Sequence, residues 1–402
     1  MGNTRHCNTG LVADRISFIF VTMPLTAQRI LIISPESWGK SMLSKHHYAV
    51  ALANAGHDVW FLLPPWADRE LALQYRHPRV HLLFDSYSLK GARFLPAILR
   101  KAWYKRIVRS MEKHCGGPFG VVWSFDNSRF FDLDSFVHAF RIHHMMDYHT
   151  DYQLAQACST AHLCLGVTTG IVQKMQPFNR HSYFVQHGYA PVAEEAALLP
   201  DVPQVHRALY TGNLLMPYVQ WSWLHALVKS NPDVHFFLAG SYSQSNLNEH
   251  SNPNALAEVE KIGRNANVTL LGECIPGQMQ SYLRQADVLF FAYRSNEFPE
   301  ILANSHKIMA YLASGKPIVS HIISEYVKHD NLLCMASNLD KYLHSFREVI
   351  EHPEIHRSAA AIERRTNWAN SNTYEQQIRR IQNLIGQLGQ DIQLIQDKEH
   401  HG

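Results

Sequence analysis

Several common signatures are missing from the sequence. Its six cysteines are scattered over 402 residues, and no two of them form a CxxC pair. Neither a disulfide framework nor a cysteine-based zinc site is therefore predicted. The formal net charge is only +3, which argues against a nucleic-acid-binding protein. Histidine is abundant, but the clusters at 45–47 and 143–144 lack a convincing pattern of carboxylate partners, so no metal site is predicted.

Long apolar runs are also absent. The apolar segment 16–21 is far shorter than the roughly 20 residues that span a bilayer. A signal peptide is an alternative for this segment, although no clear small-residue cleavage site follows it. We interpret residues 1–27 as an N-terminal extension and expect the fold to begin near Gln28. The protein is expected to be cytoplasmic, either free or peripheral on the inner face of the membrane.

The sequence does contain an alternation of apolar strands and helices. Residues 30–33 form a continuous apolar run that is typical of a buried parallel strand. A predicted helix at 44–55 follows, with Gly56 as its stop, and a second apolar strand is predicted at 59–63. This is a βαβ unit, and repeated units of this kind build a parallel sheet. The length and the 46% hydrophobic content fit two such α/β domains.

The alternation repeats in both halves of the chain. In the first half, further strands are predicted at 80–84, 120–125, 142–146, 162–166 and 183–186. In the second half, strands are predicted at 208–210, 234–239, 268–271, 288–291, 317–319 and 332–335, with helices at 219–229, 277–285, 305–314 and 339–351. The predicted units are an extension at 1–27, a domain at 28–190, a linker at 191–206, a domain at 207–370 and a tail at 371–402.

The two halves predict a doubly wound α/β architecture with a ligand cleft between the domains. Ligands of such folds bind outside the carboxyl ends of the strands, so two facing domains would share one central cleft. The tail is predicted to begin with an amphipathic helix at 371–386, capped by Ser371, Asn372 or Thr373. We expect this helix to return to the N-terminal domain.

The most specific segment runs from Asn304 to Val319. It predicts a loop, a helix of about ten residues, a glycine stop and a buried strand. A helix N-terminus carries free N–H groups and a partial positive charge, and His306 and Lys307 add donors at the same end. This combination suits a diphosphate. The alternative is an ordinary helix start with a solvated lysine.

This segment resembles the S-P-x-K-x-x-E-Y-L-A-x-G-K-P-V-V signature of GT-B glycosyltransferases, of the family 4 type found in bacterial polysaccharide synthesis. Three upstream segments are also similar to that family: the strand and glycine turn at 208–213, the "NPD-x-x-F-x-L-x-G" strand at 231–240, and the "V-x-x-L-G … L-x-x-A-D-V" pattern at 268–288. The resemblance implies a GT-B fold with a nucleotide-sugar donor site in the C-terminal domain. It also implies transfer to a saccharide or lipid-linked acceptor, retention of configuration and no required metal or other cofactor.

The resemblance assigns roles to particular positions. Lys307 and Arg294 would neutralise donor phosphates, and the loop 273–275 would bracket the base. The full set of implied donor-binding residues is Gly212, Asn213, Ser241, Tyr242, Ile275, Arg294, Asn296, Ser305, His306, Lys307, Tyr311 and His187. The candidate catalytic groups, which would orient the reacting sugar or the acceptor, are Asp147, Asp126 and His149. The alternative for each of these three is a loop residue that caps a helix or a turn.

Two positions depart from the family pattern. Ala310 stands where the family usually has a glutamate that often holds the donor ribose, and Glu297 or Glu300 could substitute for it. The segment 214–221 also lacks the usual basic pair. These departures keep two alternatives open: a non-catalytic, degenerate GT-B protein that binds a partner or saccharide, and a GT-B nucleotide-sugar epimerase.

The positive charge is concentrated between Lys90 and Lys113. Eight basic residues alternate there with aromatic and aliphatic ones, and only Glu112 opposes them. A basic amphipathic helix of this kind suits an anionic membrane surface. The alternative is the solvated face of a helix whose other side packs into the core.

Overall fold

The computed structural model describes residues 28–39, 42–84, 94–147, 153–242, 253–299, 302–329 and 331–400. The strands of the first half are β1 Arg29–Ile33, β2 Asp58–Leu62, β3 Val80–Leu83, β4 Val121–Ser124, β5 Phe140–Met145, β6 Leu163–Gly166 and β7 Ser182–Phe184. Those of the second half are β8 His206–Thr211, β9 Val234–Ala239, β10 Val268–Gly272, β11 Val288–Phe291, β12 Ile318–His321 and β13 Cys334–Ala336.

The strands form two separate parallel sheets. Their orders are β3-β2-β1-β4-β5-β6-β7 and β10-β9-β8-β11-β12-β13, and each sheet has its own hydrophobic core. β4, β6, β9, β11 and β12 are buried along their whole length, which explains their continuous apolar sequences. The prediction of two doubly wound α/β domains is confirmed.

Each sheet has one point at which the strand order reverses. In the first sheet it lies between β1 and β4, and in the second between β8 and β11. Connections on either side of such a point leave in opposite directions, which opens a crevice at the carboxyl ends of the strands. These two crevices are the places to look for ligand-binding groups.

Helices cover the faces of both sheets. The helices of the first half are α1 Ser44–Asn54, α2 Arg69–Gln74, α3 Ala97–His114, α4 Leu154–Thr160 and α5 Thr169–Met175. Those of the second half are α6 Trp221–Ser230, α7 Pro253–Gly263, α8 Pro276–Gln285, α9 Lys307–Ala313, α10 Leu339–Glu351, α11 Pro353–His356, α12 Ala359–Asn370 and α13 Tyr374–His400. Helix α9 begins two residues later than the sequence predicts, and α13 is longer than the segment 371–386.

Helix α13 belongs to the core of the N-terminal domain although it follows the C-terminal domain in the chain. Tyr374, Ile378, Ile381, Ile385 and Leu388 are all buried in that core, and the helix packs against α1. Of the three candidate caps, Thr373 performs the role, because its Oγ1 accepts a hydrogen bond from Gln376 N at 3.3 Å. Helix α13 therefore completes the core of the N-terminal domain from a position beyond the C-terminal domain in the chain.

The segment between the domains has no regular secondary structure from 191 to 205, yet it is fixed to the C-terminal domain. Glu195 N donates to Gly277 O at 3.2 Å, and Leu199 N donates to Gln285 Oε1 at 3.0 Å. The Leu199 side chain is buried in the second core. These contacts hold most of the linker along α8.

The packing of α13 generates a stability prediction. Ile381 is 2% exposed, so Ile381→Ala should lower the free energy of unfolding by about 2–5 kcal/mol through lost burial and a residual cavity. Ile355→Ala, at a 57% exposed position on α11, should change it by less than about 0.5 kcal/mol. Urea unfolding monitored by circular dichroism measures both. Equal effects of the two variants would show that α13 does not contribute to the N-terminal core.

Candidate active site

The crevice of the C-terminal domain is floored by two glycine turns in direct contact. Gly212 follows β8 and Gly240 follows β9, with φ angles of +134° and +150°. A Cβ atom on Gly240 would collide with the carbonyl oxygen of Gly212, so only glycine allows this approach. Gly212 N donates to Ala239 O at 2.8 Å. The result is a half-buried stretch of backbone that carries no Cβ at either turn.

Lys307 extends from the first turn of α9 to the same place. Its Nζ donates to Thr211 O at 2.6 Å and to the hydroxyl of Tyr293. It also lies 4.6 Å from the ring centre of Tyr210 and 5.1 Å from that of Phe291. A Cβ atom on Gly212 would lie 2.9 Å from this Nζ, so the glycine also leaves room for the amine.

Among the described residues, no carboxylate pairs with Lys307. Its partners in the described part of the chain are a carbonyl, a hydroxyl and aromatic rings. Burial lowers the pKa of Lys307 to about 7, because a desolvated ammonium is disfavoured. The Lys307 charge in turn helps to lower the pKa of the buried His321 to about 3, after desolvation as the larger cause. A positive group of this kind is suited to an anionic ligand.

Tyr311 lies behind this site and does not line it. Its buried hydroxyl accepts hydrogen bonds from Thr211 N at 2.8 Å and from Thr211 Oγ1 at 3.0 Å. It therefore holds the end of β8, whose carbonyl in turn binds Lys307. The implied donor contact of Tyr311 is replaced by a positioning role.

Arg294 is already engaged by its own neighbours. It pairs with Glu297 at 2.8 Å, donates to the carbonyl of Pro217 and lies 5.5 Å from the ring centre of Phe298. The guanidinium thus fixes the loop before α6, and its charge is partly neutralised. Glu297 is committed to the same pair, which leaves it poorly placed to replace the glutamate missing at 310. Glu300 lies outside the described residues, and Asn296 is solvent-exposed.

The remaining implied donor residues surround the glycine turns. Ser241 O accepts from Leu214 N at 3.0 Å, and the buried Ser241 Oγ has no hydrogen-bond partner in the described structure. Asn213 Oδ1 accepts from Leu215 N at 2.9 Å. Tyr242 lies beside Gly272, and Ile275 caps α8 after the half-buried turn 272–274. These residues lie near the ends of β8, β9 and β10, and their donor-binding role stays a prediction.

The N-terminal domain contributes a second group of polar side chains. The rings of His187 and His306 are 6.3 Å apart between centroids, one from each domain. Burial and the nearby His306 lower the pKa of His187 to about 4, whereas the Asp147 carboxylate opposes this shift. Asp147 also acts electrostatically on His306 and Tyr218. The rings of His187 and His306 thus face each other across the cleft, and the Asp147 carboxylate lies near enough to act on both electrostatically.

The domains are joined directly beside this group. Asn304 Nδ2 donates to Val167 O at 2.9 Å and to the side-chain oxygen of Gln186. Ser305 is half-buried, and its carbonyl accepts from Ile308 N at 3.0 Å. On the other side, Thr169 N donates to Glu325 Oε1 at 2.6 Å. The start of the 304–319 segment thus serves as a domain contact as well as the lead into α9.

The other two candidate catalytic residues are Asp126 and His149. Asp126 is 2% exposed, and both its oxygens are occupied: Oδ1 accepts from Ser128 N at 2.7 Å and Oδ2 from Arg129 Nε at 2.7 Å. The geometry therefore corrects its expected role to the alternative, an acidic residue that organises a loop. His149 lies outside the described residues.

Several functional candidates escaped the sequence reasoning. Tyr293 and Thr211 bind Lys307, although only Arg294 and Gly212 beside them were singled out. Lys45 lies near enough to His306 to lower its pKa, and it forms an ion pair with Glu36. The sequence signal for Lys45 was its place in the 45–47 cluster, which was considered only as a metal site. In the ranges that the structure describes, no group of three or more metal-ligating side chains is found, and no helix could cross a membrane.

The chain is similar to known proteins in its fold and, over part of its length, in its sequence. The fold resembles solved structures along almost all of the chain: Anabaena HepE in complex with UDP and glucose (TM-score 0.60, 12% identity, 89% of this chain and 99% of that one), a glycosyltransferase from Rickettsia africae (0.63, 12%, 90% and 99%), and sucrose-phosphate synthase from Thermosynechococcus elongatus (0.62, 12%, 90% and 99%). The chain therefore has the GT-B fold. Residues 206–352 match the family model described as glycosyl transferases group 1, the family that the sequence resembles. A search of curated proteins finds no match.

The environment of Lys307 predicts an unusual titration. In protein labelled with [13Cε]lysine, one Cε resonance should move with a midpoint near pH 7, because burial penalises the ammonium. Lys307→Met should remove that resonance, and Tyr293→Phe should lower its midpoint further by removing a hydrogen-bond acceptor. A Lys307 midpoint near the ordinary 10.5 would contradict the buried position of the amine.

Proposed function

We propose that this protein is a glycosyltransferase that transfers a sugar from a nucleoside-diphosphate sugar to a saccharide or lipid-linked acceptor. The observation that carries the proposal is the half-buried Lys307 ammonium, which lies among aromatic rings at the crevice between β8 and β11 without a carboxylate partner in the described residues. The GT-B fold and the family match at 206–352 support it. The structure of HepE with UDP and glucose favours a uridine nucleotide as the first donor to test.

The proposed role of Lys307 is to stabilise the leaving diphosphate. Negative charge grows on the diphosphate as the bond to the sugar breaks, and a fixed cation in a desolvated site lowers the energy of that state. The glycine turns at 212 and 240 would let the phosphates approach the backbone N–H groups closely. The unpaired Ser241 Oγ supplies a further donor next to them.

The sugar itself would lie toward the N-terminal domain. His187, His306 and Asp147 face that space from both sides of the cleft and could hold its hydroxyl groups or orient the acceptor hydroxyl. Retention of the anomeric configuration and independence of metal ions remain parts of this proposal, on the ground of the family resemblance. Activity that survives saturating EDTA would support the second part.

The main alternative is a GT-B protein that binds a saccharide or partner without catalysis. Ala310 in place of the glutamate favours it, as do the lack of a basic residue in 214–221 and the commitment of Glu297 to Arg294. The preserved, uncompensated Lys307 favours the transferase, because a buried cation without a ligand is costly to retain. An epimerase would act on the same donor, and the products of a turnover assay distinguish it.

We also propose that the protein is cytoplasmic and contacts an anionic membrane through α3 and the residues before it. Phe94, Ile98 and Leu99 are 77%, 83% and 57% exposed, whereas Tyr104, Ile107, Val108 and Met111 pack into the core. The exposed basic residues of the helix are Lys101, Lys105, Arg106, Arg109 and Lys113. Lys90 and Arg93 lie outside the described residues. Exposed apolar groups next to cations suit a lipid surface that carries the acceptor.

The donor site can be tested by thermal unfolding with nucleoside diphosphates. A ligand at about 100 times its Kd stabilises the native state by about 2.7 kcal/mol, so UDP or another nucleotide should raise the Tm by several degrees. Lys307→Met should abolish most of that increase without lowering the Tm of the free protein, because it removes a desolvated charge and keeps the chain length. Lys229→Met, at an exposed position at the end of α6, should respond like the parent.

The pH dependence gives the same test a second readout. The Lys307 amine is protonated below pH 7 and loses its proton above it. Diphosphate binding needs the ammonium, so affinity should fall above pH 7 by up to about tenfold per pH unit. Lys307→Met should not show this fall. A parent protein that binds no nucleotide at any pH would instead favour the non-catalytic alternative.

Vesicle flotation tests the membrane contact. Replacement of Lys105, Arg106 and Arg109 by glutamate should weaken binding to phosphatidylglycerol vesicles about a hundredfold or more, since each cation contributes about 1 kcal/mol. The same change of net charge at Lys229, Lys261 and Arg264, exposed residues of the other domain, is the matched control. Equal losses in the two triple variants would point to net charge alone and refute a specific contact through α3.

A further inference from the structure

The crevice of the N-terminal domain has a built arrangement of its own. It lies between β1 and β4, where the strand order reverses. Arg129, in the loop after β4, donates to Asp126 Oδ2 at 2.7 Å and to Ser34 O, just after β1, at 2.5 Å. The guanidinium is thus fixed by hydrogen bonds to both strands that border the crevice.

An exposed tryptophan lies against this fixed guanidinium. Trp66 belongs to the loop between β2 and α2, and its ring centre is 5.4 Å from Arg129 Cζ. The side chain is 68% exposed, which is unusual for the largest apolar residue. The cation holds one side of the indole through a cation–π contact. The exposure therefore reflects a ring kept in place at the surface.

We propose that Trp66 is a stacking platform for an acceptor oligosaccharide. The C–H groups of a pyranose ring carry partial positive charge and pack on the electron-rich face of an indole, while the hydroxyl groups stay in water. The argument rests on the proposed glycosyltransferase function and deepens it by naming the acceptor class. Trp66 follows β2, next to β1 in the sheet, so it faces the same cleft edge as Asp147 after β5.

The spacing within the sheet indicates how the acceptor lies. Going from β2 through β1 and β4 to β5 crosses three strand intervals, which amount to roughly 14 Å at about 4.8 Å each. That is too far for one sugar ring to reach both Trp66 and the residues around Asp147. Trp66 would therefore bind a sugar unit remote from the reacting end, and the preferred acceptor is an oligosaccharide chain.

A lipid surface is the competing explanation for an exposed tryptophan. Trp66 differs from Phe94, Ile98 and Leu99 in that an arginine with two hydrogen bonds supports its ring. Membrane insertion needs no such fixed orientation, whereas stacking on a sugar does. The saccharide interpretation is the one favoured, and the membrane is an outcome of the test.

The test uses the full chain labelled with 5-fluorotryptophan and observed by 19F NMR. Trp66→Phe identifies the Trp66 resonance by its loss. The probes are maltohexaose, cellohexaose and chitohexaose, with glucose and N-acetylglucosamine as matched monosaccharides, and phosphatidylglycerol vesicles in a separate sample. At least one hexasaccharide should shift the Trp66 resonance at concentrations where the monosaccharides do not.

Substitutions at Trp66 and at a control position distinguish the contribution of Trp66 to saccharide binding from that of another exposed aromatic residue. Trp66→Ala should weaken binding of that hexasaccharide about tenfold, whereas Trp66→Phe should stay within about threefold, because a stacked ring contributes roughly this much. Phe178→Ala, at a 46% exposed aromatic beyond α5, should have no effect. UDP should raise the Tm equally in the three variants, because none of them changes the proposed donor site. A missing increase in Tm would therefore indicate a failure of the donor site, separately from the Trp66 proposal. A Trp66 signal that responds to no hexasaccharide, or to vesicles alone, overturns the proposal.

Discussion

The crevice of the C-terminal domain is organised around one half-buried ammonium group, that of Lys307. An isolated charge in a protein interior is expensive, and a carboxylate partner is the usual remedy. Lys307 has instead a carbonyl, a hydroxyl and the faces of three aromatic rings. Each of these partners tolerates a cation without cancelling its charge. The hydroxyl groups of Tyr210 and Tyr293 share a hydrogen bond of 3.3 Å, which links two of the rings that surround the amine.

That constraint explains several neighbouring choices of residue. Gly212 has a φ of +134° that other residues rarely adopt, and its missing Cβ leaves room for the amine. Gly240 must lack a side chain because a Cβ would collide with the Gly212 carbonyl. Tyr311 fixes the backbone of Thr211, whose carbonyl binds the amine. The crevice that suits an anion is therefore built from two glycines, a threonine and the neighbouring tyrosines.

The sequence was sufficient for the architecture, and it singled out Lys307 as the centre of a donor site that stays a prediction. Mainly apolar runs such as 30–33 and 234–239 indicated buried parallel strands. The motif at 304–319 singled out Lys307. The sequence could not predict which side chains bind one another, because those contacts depend on which loops lie together in the folded protein. Arg294 looked like a phosphate ligand, yet it binds Pro217 and Glu297, and only the i, i+3 spacing to Glu297 hinted at this. Trp66 carries no local signal at all, since its meaning comes from Arg129, which is 63 positions away in the chain.

Helix α13 has a consequence for how the protein is made. The first domain to leave the ribosome lacks its last core helix until the C-terminal domain has been synthesised, because Ile378, Ile381 and Ile385 come from the end of the chain. Domains usually fold one after another during synthesis, and here that order is interrupted. The nascent N-terminal sheet would present an apolar groove beside α1 throughout elongation. A chaperone that shields this groove, or rapid completion of the chain, would decide how much of the protein reaches its native state.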